Sequence, residues 1–245
     1  MKKQLNDLLT IETIDKLQEN IFAMTLGGDC SRISAPGQFI NIRLDGFYLR
    51  RPISICSWDE QHLTIVFKVV GQGTAAMAKM RPGEKLDVLM PLGNGFDTEK
   101  CGEKPLLAGG GIGVPPLYGL ARALVKKQIR PKVVLGFNTR EDVILTEAFR
   151  NLGLEPIIAT ADGSEGVRGF VTDAMKDLDF DYLYTCGPEP MLKAVWQSAP
   201  DGQFSFEARM ACGFGACMGC SCETKYGYKR ICKDGPVLFK EEIKW

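Results

Sequence analysis

Five of the nine cysteines lie between positions 212 and 232, and their spacing constrains what this chain can fold into more than any other feature. Four of them follow the pattern C-x4-C-x2-C-x11-C: Cys212, Cys217, Cys220 and Cys232. The first three have the spacing of plant-type [2Fe–2S] proteins. Gly213 and Gly215 allow the intervening loop to bring backbone N–H groups close to the sulfur atoms. The spacing therefore predicts an iron–sulfur centre on these four thiols.

The same region leaves two alternatives open. A four-cysteine zinc ribbon would be expected to carry two C-x2-C pairs, and this region has one, Cys217 with Cys220. Cys222 could replace Cys220 or Cys232 as a ligand, but the C-x2-C geometry and the distant position of Cys232 favour leaving Cys222 outside the ligand set. Because the chain has a single histidine, a two-histidine Rieske centre and a Cys2His2 zinc site are excluded within it.

The charge balance argues against the strongly basic surfaces that nucleic acids and anionic membranes require. Lys and Arg together number 30, and so do Asp and Glu. The longest charge-free stretch, 105–121, contains five glycines and three prolines and is shorter than the ~20 apolar residues of a membrane span. The N-terminal residues carry charges every few positions and lack the apolar run of a secretory signal. We therefore expect a cytoplasmic protein that binds neither nucleic acid nor membrane.

The first half of the chain has the sequence pattern of a β-barrel. From residue 37 to about residue 97, short apolar runs alternate with turn sequences such as DG, GQG, RPGE and GNG. This pattern is typical of a small antiparallel barrel. One helix is predicted inside it, over 74–80, after a glycine turn.

From residue 104 onward, strands and helices alternate. The strand candidates are PLLA, KVVLGF, EPIIAT and DYLYTC. The predicted helices cover 115–127, 140–152, 171–178 and 188–198. Such alternation is typical of a doubly wound α/β domain with a parallel sheet.

After residue 199 the helical pattern stops and a tail rich in glycine and cysteine follows. The tail is too small to be stabilised by an apolar core of its own. It therefore needs a cross-link between its segments, which a metal site would supply. The predicted fold class is therefore α+β multidomain. It combines an antiparallel β-barrel over 1–98, a doubly wound α/β nucleotide domain over 99–200 and a small C-terminal cluster subdomain over 201–245.

Two motifs in the barrel region could bind an anionic cofactor. Arg51 offers a rigid guanidinium fork for pyrophosphate oxygens, and the Ser54 hydroxyl can hydrogen-bond a flavin ring edge. Strict alternation would send these two side chains to opposite faces, so both can serve one ligand only if Pro52 distorts the ladder or marks an edge. The turn over 71–74 leads into the predicted helix and can present free N–H groups to an anion.

Two further turns follow strands of the α/β region. Gly111 and Gly113 form the start of a dinucleotide fingerprint, but Pro116 stands where a third glycine is usual. Cys186 ends a predicted strand and the next helix follows directly. Because ligands of doubly wound sheets bind at the carboxyl ends of the strands, both turns are candidates for a nucleotide site.

These motifs, taken in order, resemble the ferredoxin–NADP reductase superfamily over nearly the whole chain. The sequences that carry the likeness are RRPISI, GQGT, PLGNGF, AGGGIGVPPL, TCGPEPML, RMACGFGACMGC and CKDGPVLF. Within the superfamily they resemble the family of electron-transfer subunits of NAD-linked type B dihydroorotate dehydrogenases.

The resemblance implies three cofactors: FAD, NAD and a [2Fe–2S] cluster. For FAD it implies Arg51 at the pyrophosphate, Pro52, Ile53 and Ser54 along the isoalloxazine, and Lys68, Val69, Gly73 and Thr74 around the rest. For NAD it implies Gly111, Gly113 and Cys186. For the cluster it implies the four cysteines already singled out. Ser54 and Cys186 would lie where flavin and nicotinamide meet, and they are the predicted catalytic residues.

The resemblance also implies a role in pyrimidine biosynthesis. Dihydroorotate would be oxidised on a separate FMN-containing catalytic subunit, and the electrons would pass through the cluster and FAD to NAD. The expected assembly is a heterotetramer of two of each subunit. The loop around Met210, Phe214 and Met218 is the candidate docking surface, although these apolar side chains could equally pack against the barrel.

Two other functions stay open at this point. A stand-alone reductase that serves a ferredoxin or an oxygenase would use the same cofactors and differ in its partner. A zinc-stapled binding module without enzymatic activity would contain neither iron nor flavin.

Overall fold

The computed structural model describes residues 6–245, and its first part is a closed barrel. The barrel strands are β1 (Asn6–Gln18), β2 (Ile21–Gly27), β3 (Phe39–Ile42), β4 (Arg51–Trp58), β5 (His62–Lys68) and β6 (Lys85–Leu92). They pair antiparallel in the order β1-β2-β5-β4-β3-β6, and β1 pairs with β6 to close the barrel. The predicted antiparallel barrel is confirmed. The first five residues of the predicted 1–98 domain lie outside the described residues.

The sequence pattern predicts strands only from residue 37, and this is wrong for the barrel. The hairpin of β1 and β2 supplies two of its six strands. Leu9 and Ile11 lie in the barrel core, but residues 12–18 contain no buried side chain. Because the exposed half of β1 carries charges, it lacks the alternation by which strands are recognised.

A short helix follows the fifth barrel strand. This helix, α1, covers Gln72–Met77 and partly matches the helix predicted over 74–80. Its Met77 side chain is buried in the barrel core. The helix therefore covers one end of the barrel and fixes the glycine turn that precedes it.

The second part of the chain is a seven-stranded sheet. Its strands are β7 (Pro105–Gly110), β8 (Lys132–Phe137), β9 (Pro156–Thr160), β10 (Val167–Arg168), β11 (Tyr182–Cys186), β12 (Gly202–Ser205) and β15 (Val237–Phe239). The order is β10-β9-β8-β7-β11-β12-β15, and every pair is parallel except the last. The helices of this part are α2 (Val114–Lys126), α3 (Thr146–Asn151), α4 (Val171–Met175) and α5 (Glu189–Ser198). The predicted doubly wound α/β architecture is confirmed.

The helix predicted over 140–152 is wrong in its first half. Residues 140–142 form a single 3-10 turn, and α3 begins only at Thr146. Leu145 has a φ of +63°, in the left-handed region that an α-helix cannot include. The helix predicted over 171–178 ends early, at Met175.

The C-terminal region is divided between a hairpin and the sheet. The hairpin consists of β13 (Ser221–Thr224) and β14 (Gly227–Arg230). Both β12 and β15, which lie within 201–245, extend the sheet of the preceding region. The domain bounds 1–98, 99–200 and 201–245 stay a prediction. Among residues 6–245, no helix is long and apolar enough to cross a membrane.

A buried hydrogen-bond network ties the barrel-to-sheet linker to the sheet. The Tyr184 hydroxyl lies 3.0 Å from the Asp97 carbonyl oxygen and 2.9 Å from that of Lys100. Gln203 Nε2 donates to the Asp97 carbonyl at 2.8 Å and to the Tyr182 hydroxyl at 3.0 Å. Carbonyl groups of the linker, residues 93–104, thus obtain donors from two neighbouring strands.

Tyr184→Phe is expected to lower the free energy of unfolding by about 1 kcal/mol, because the hydroxyl of this buried tyrosine is a donor to linker carbonyl groups. The measurement is the shift of the urea unfolding midpoint of the cofactor-loaded protein. The control is Tyr226→Phe, since the Tyr226 side chain is 72% exposed on the C-terminal hairpin, and its effect should stay within about 0.5 kcal/mol. Equal effects of the two substitutions would contradict the network's role.

Candidate functional site

The barrel strand β4 has an open edge at its start. Residues 51–54 pair only with β3, and pairing with β5 begins at Ile55. Pro52 lies in this one-sided segment, where its missing N–H interrupts no ladder bond to β5. Residues 51–54 are all half-buried, whereas the four residues of β3 are buried. The predicted cofactor strand therefore offers its free edge and part of its surface to a ligand.

Arg51 is held against the glycine turn. Its guanidinium carbon lies 4.8 Å from the centre of the Phe47 ring, and Nη1 donates to the Leu49 carbonyl. A Cβ atom on Gly73 would lie 2.1 Å from Arg51 Nε. Only glycine at this position allows the guanidinium to approach the turn so closely. A fixed guanidinium beside turn N–H groups fits a pyrophosphate group.

The outer face of β4 adjoins that of β3. Ser54 pairs with Phe39 and Pro52 pairs with Asn41. Ile40 belongs to the barrel core and Ile53 packs against it. By alternation, Pro52 and Ser54 share the outer face with Asn41. By the same alternation Arg51 falls on the side of Ile53, and its guanidinium lies at the strand end against Phe47 and the glycine turn. That Arg51 and Ser54 serve one ligand stays a prediction.

Two of the remaining flavin predictions have partners elsewhere in the chain. Lys68 Nζ lies 3.0 Å from Asp142 Oδ1, across the boundary between barrel and sheet. The Thr74 hydroxyl accepts from Val70 N at 3.0 Å and from Gly71 N at 3.3 Å, which closes the turn before α1. Their flavin contacts, and that of Val69, stay a prediction.

The two predicted nucleotide turns meet at the carboxyl edge of the sheet. Strands β7 and β11 are neighbours, with Cys186 opposite Gly109. A Cβ atom on Gly113 would lie 2.4 Å from the Cys186 carbonyl oxygen. Gly111 has a φ of +52°, which starts the turn into α2. Pro116, in place of the usual third glycine, lies buried in the first turn of α2, where a missing N–H costs nothing.

A cleft of about 450 Å³ opens beside these turns, between the sheet and the barrel. Residues from both parts line it, among them Lys68, Ile112, Asn138, Asp142, Phe170 and Met191. Its volume and its place at the carboxyl ends of parallel strands fit a nucleotide. Phe170 is 67% exposed at its rim. The ion pair of Lys68 with Asp142 joins the two parts at this cleft.

The Cys186 thiol is neutral at physiological pH. Burial raises its pKa to about 12, and the nearby Glu207 carboxylate adds to the rise. The hydroxyl of Ser205, which is opposite Cys186 on β12, favours the thiolate but does not offset burial. The turn therefore contains a buried, polarisable and uncharged sulfur atom.

Ser205 and Glu207 were not among the predicted site residues. Partial desolvation raises the Glu207 pKa, although the residue is exposed. In the sequence, the apolar residues Phe204 and Phe206 alternate with these two polar residues. In an extended segment this alternation predicts that Ser205 and Glu207 lie on one face. The alternation identifies Ser205 and Glu207 as site residues only when β12 is known to lie beside Cys186.

The predicted cluster cysteines form two contacting pairs. Cys212 contacts Cys217, and Cys220 contacts Cys232. Within residues 6–245, no three potential metal-binding side chains lie close enough to form a complete cage. Cys222 lies on β13 in the hairpin beside them.

Backbone N–H groups surround the cysteine sulfur atoms. Ala216 N and Cys217 N point to Cys212 Sγ at 3.3 and 3.5 Å, and Cys232 N points to Cys220 Sγ at 3.4 Å. Burial opposes the Cys212 thiolate, but backbone donors including Cys217 and Phe214 outweigh it and lower its pKa to about 6. Thiols with N–H donors directed at sulfur are the chemistry that an iron–sulfur cluster requires. The donor set therefore fits the predicted cluster, while the ligand assignment stays a prediction.

Comparisons with known proteins agree with these features. The model of the iron–sulfur cluster binding domain of dihydroorotate dehydrogenase B matches residues 207–244, and that of the oxidoreductase NAD-binding domain matches residues 107–197. The chain is 44% identical to the dihydroorotate dehydrogenase B (NAD(+)) electron transfer subunit of Geobacillus sp. (strain WCH70), over 99% of both chains. It is 43% identical to the subunit of the same name from Fusobacterium nucleatum subsp. nucleatum, over 96% of both chains.

A solved structure is also similar over the whole chain. It is that of an NADH-dependent reduced ferredoxin–NADP oxidoreductase, described in connection with flavin-based electron bifurcation. The TM-score is 0.88 and the sequences are 30% identical, over 100% of this chain and 92% of that one.

Gly73→Ala is expected to weaken FAD binding by about tenfold or more, because a Cβ atom would force the Arg51 guanidinium away from the turn. Gly71→Ala is the matched control, since Gly71 has an extended backbone and nothing within 4 Å of an added Cβ. Flavin fluorescence during titration of the apoprotein measures both affinities. Equal affinities for the two variants would contradict the role of this contact.

Cys186 is expected to resist alkylation by iodoacetamide at about pH 9, because the thiolate is the reactive form and burial keeps this thiol neutral. The half-exposed Cys101 provides the internal reference. Mass spectrometry of peptides from the folded protein measures both rates. Modification of Cys186 as fast as Cys101 would show that the thiol is accessible and ionised.

Proposed function

The chain belongs to the family of dihydroorotate dehydrogenase B (NAD(+)) electron transfer subunits, and on this premise we propose that it transfers electrons from a dihydroorotate-oxidising catalytic subunit to NAD⁺. The route uses a [2Fe–2S] cluster and FAD, and the reaction belongs to pyrimidine biosynthesis. The partner is the FMN-containing catalytic subunit, and a heterotetramer of two of each stays a prediction. FAD, when bound, exchanges single electrons with a cluster and a hydride with nicotinamide.

One observation carries this proposal: the barrel strands predicted to bind flavin stand between the cysteine loop and the nucleotide cleft. On one side, Asn41 Nδ2 on β3 lies 3.5 Å from the Cys212 carbonyl oxygen. On the other side, Lys68 on β5 pairs with Asp142 at the cleft. The order of the three candidate sites is therefore the order that the electrons require.

The protein's own residues mainly bind and orient the cofactors. Arg51, fixed against Gly73, supports binding of the FAD pyrophosphate. Ser54 on the open strand and Cys186 at the nucleotide turn are the proposed catalytic residues, facing the place where flavin and nicotinamide meet. A neutral Cys186 thiol adds no charge of its own at that place.

The proposed docking surface for the catalytic subunit lies on the cysteine loop. Phe214 is 46% exposed and Met218 is 54% exposed. Met210, the third residue of the predicted surface, packs against the core instead. Exposed apolar side chains beside a redox centre fit a partner that must approach the centre closely.

The proposed location is the cytoplasm, where reducing conditions keep thiols available as cluster ligands. The equal numbers of acidic and basic residues support the absence of a nucleic-acid or anionic-membrane partner.

A ferredoxin-linked reductase is the second candidate, and the similarity to the ferredoxin–NADP oxidoreductase structure favours it as the alternative. The partner decides between the two. Co-expression with an FMN-containing dihydroorotate dehydrogenase subunit should yield a complex that reduces NAD⁺ with dihydroorotate. Rapid turnover with ferredoxin alone, and none with dihydroorotate in the complex, would overturn the proposal. Zinc without iron or flavin in the purified protein would support the binding-module alternative.

Cys217→Ser is expected to remove the cluster and the dihydroorotate-dependent formation of NADH, while NADH still reduces bound FAD. The reason is that the nucleotide cleft is lined by residues between 21 and 194, and Arg51 is held by Phe47, Leu49 and Gly73 rather than by the cysteine loop. Iron and sulfide analysis, the steady-state assay and anaerobic flavin bleaching measure the three properties. The matched control is Cys222→Ser, which should keep the cluster. Loss of FAD reduction in folded Cys217→Ser protein would contradict the proposed order of sites.

A further inference from the structure

Asn41 is the one polar side chain of the buried strand β3, and it lies against the cysteine loop. It is 0% exposed, between the apolar residues Ile40 and Ile42 that form part of the barrel core. Its neighbour across the ladder is Pro52, on the strand proposed to bind flavin. The side chain is therefore in contact with one proposed cofactor site and adjacent to the other.

Two contacts fix the loop on the Asn41 amide. Nδ2 lies 3.5 Å from the carbonyl oxygen of Cys212, at the limit of a hydrogen bond. A Cβ atom on Gly213 would lie 2.4 Å from the same nitrogen, and Gly213 has a φ of +77°. The loop can therefore rest on this amide only because residue 213 is glycine. The first predicted cluster ligand and the strand beside the flavin site are separated by a single side chain.

The Asn41 backbone and its surroundings are held independently of the loop. Arg50 Nη1 donates to the Asp87 carbonyl at 2.9 Å and lies 3.4 Å from the Asn41 carbonyl. Arg50 Nη2 pairs with the Asp87 carboxylate at 2.8 Å. The amide thus projects from a strand whose position is fixed by a neighbouring ion pair, which makes it a rigid support rather than a passive contact.

Burial of this amide is costly. Its Oδ1 atom has no hydrogen-bond partner among residues 6–245, and a buried acceptor without a donor loses its hydration without compensation. An apolar residue of similar size would avoid that cost on a strand that is otherwise apolar. The cost indicates that the amide serves a purpose other than stability.

We propose that Asn41 is a positioning residue that sets the separation and orientation between the cluster-binding loop and the flavin-binding strand, and thereby the rate of electron transfer between them. The inference rests on the proposed function. Because electron transfer between fixed centres slows steeply with distance, a support of one side chain can control the rate without touching either substrate.

A second asparagine provides a matched control. Asn94 also joins the barrel end to the C-terminal region: Nδ2 donates to the Val237 carbonyl at 2.8 Å and to the Asp234 carbonyl at 3.3 Å, and Oδ1 accepts from Val237 N at 3.2 Å. Val237 lies on β15 and Asp234 follows Cys232, so neither contact is made by the loop segment 212–217. Asn94→Ala therefore weakens the association of the barrel with the C-terminal region, but it keeps the contact between the Asn41 amide and the Cys212 carbonyl.

The experiment compares Asn41→Ala, Asn41→Asp and Asn94→Ala in protein loaded with FAD and cluster. Anaerobic stopped-flow spectroscopy with NADH separates flavin reduction from the later reduction of the cluster. Flavin reduction should keep its wild-type rate in all three. Cluster reduction should slow about tenfold or more in both Asn41 variants, since small displacements of a supported group have large rate effects, and stay unchanged in Asn94→Ala. The Asp variant keeps the side-chain volume but replaces the donor that faces the Cys212 carbonyl. It therefore distinguishes a contribution of the amide donor from a contribution of side-chain volume alone.

Two further readouts do not depend on turnover. The electron paramagnetic resonance spectrum of the reduced cluster should change in the Asn41 variants only. In the protein without cofactors, hydrogen exchange at residues 212–217 should be faster in Asn41→Ala than in the wild type, and unchanged there in Asn94→Ala.

Wild-type rates, spectrum and exchange in both Asn41 variants would overturn the inference, and so would equal slowing in Asn94→Ala. If the wild-type protein itself transfers no electrons from NADH to the cluster, the proposed function fails instead. The two failures are therefore distinguishable.

Discussion

Close approach of a polar group to a glycine backbone is the constraint on which all three candidate sites depend. The Arg51 guanidinium lies against Gly73, the Cys186 carbonyl against Gly113, and the Asn41 amide against Gly213. In each case a Cβ atom would lie closer than 2.5 Å to that group. At Gly113 the nearby atom belongs to the backbone, and at Gly73 and Gly213 it ends a side chain that an added Cβ would displace. Each glycine therefore allows two segments that are distant in sequence to come into contact. The cofactor sites are therefore made at contacts between elements rather than within them.

The barrel is central to this arrangement because its strands are accessible from two sides. Its interior is filled by apolar side chains, so ligands and loops can bind only at its outer faces, edges and ends. The cysteine loop packs on the outer face of β3, and the nucleotide cleft opens near the end of β5. Between these elements, the first part of β4 has an edge without a β5 partner, which is the proposed flavin site. One small barrel thus keeps two other sites at fixed positions relative to itself.

Burial determines the protonation state of the cysteine near the nucleotide turn. The thiol of Cys186 stays neutral because desolvation outweighs its hydroxyl neighbour, Ser205. At Cys212, in the cysteine loop, backbone N–H groups outweigh burial and favour the thiolate. The same residue type is therefore held as a thiol at one site and favoured as a thiolate at another. The difference has two causes: Cys186 is buried whereas Cys212 is half-buried, and several backbone N–H groups are directed at the Cys212 sulfur.

The sequence by itself determined the chemistry and the order of the parts. The cysteine spacing, the glycine turns and the change from short strands to alternating strands and helices are local patterns, and local patterns follow from neighbouring residues. It could not show that β1 and β2 complete the barrel, because the exposed half of β1 has no alternation. It also could not show that Ser205 and Glu207 lie near Cys186, or that Asn41 supports the cysteine loop. Those contacts join residues far apart in the chain, and only the packing of barrel, sheet and loop against one another decides them.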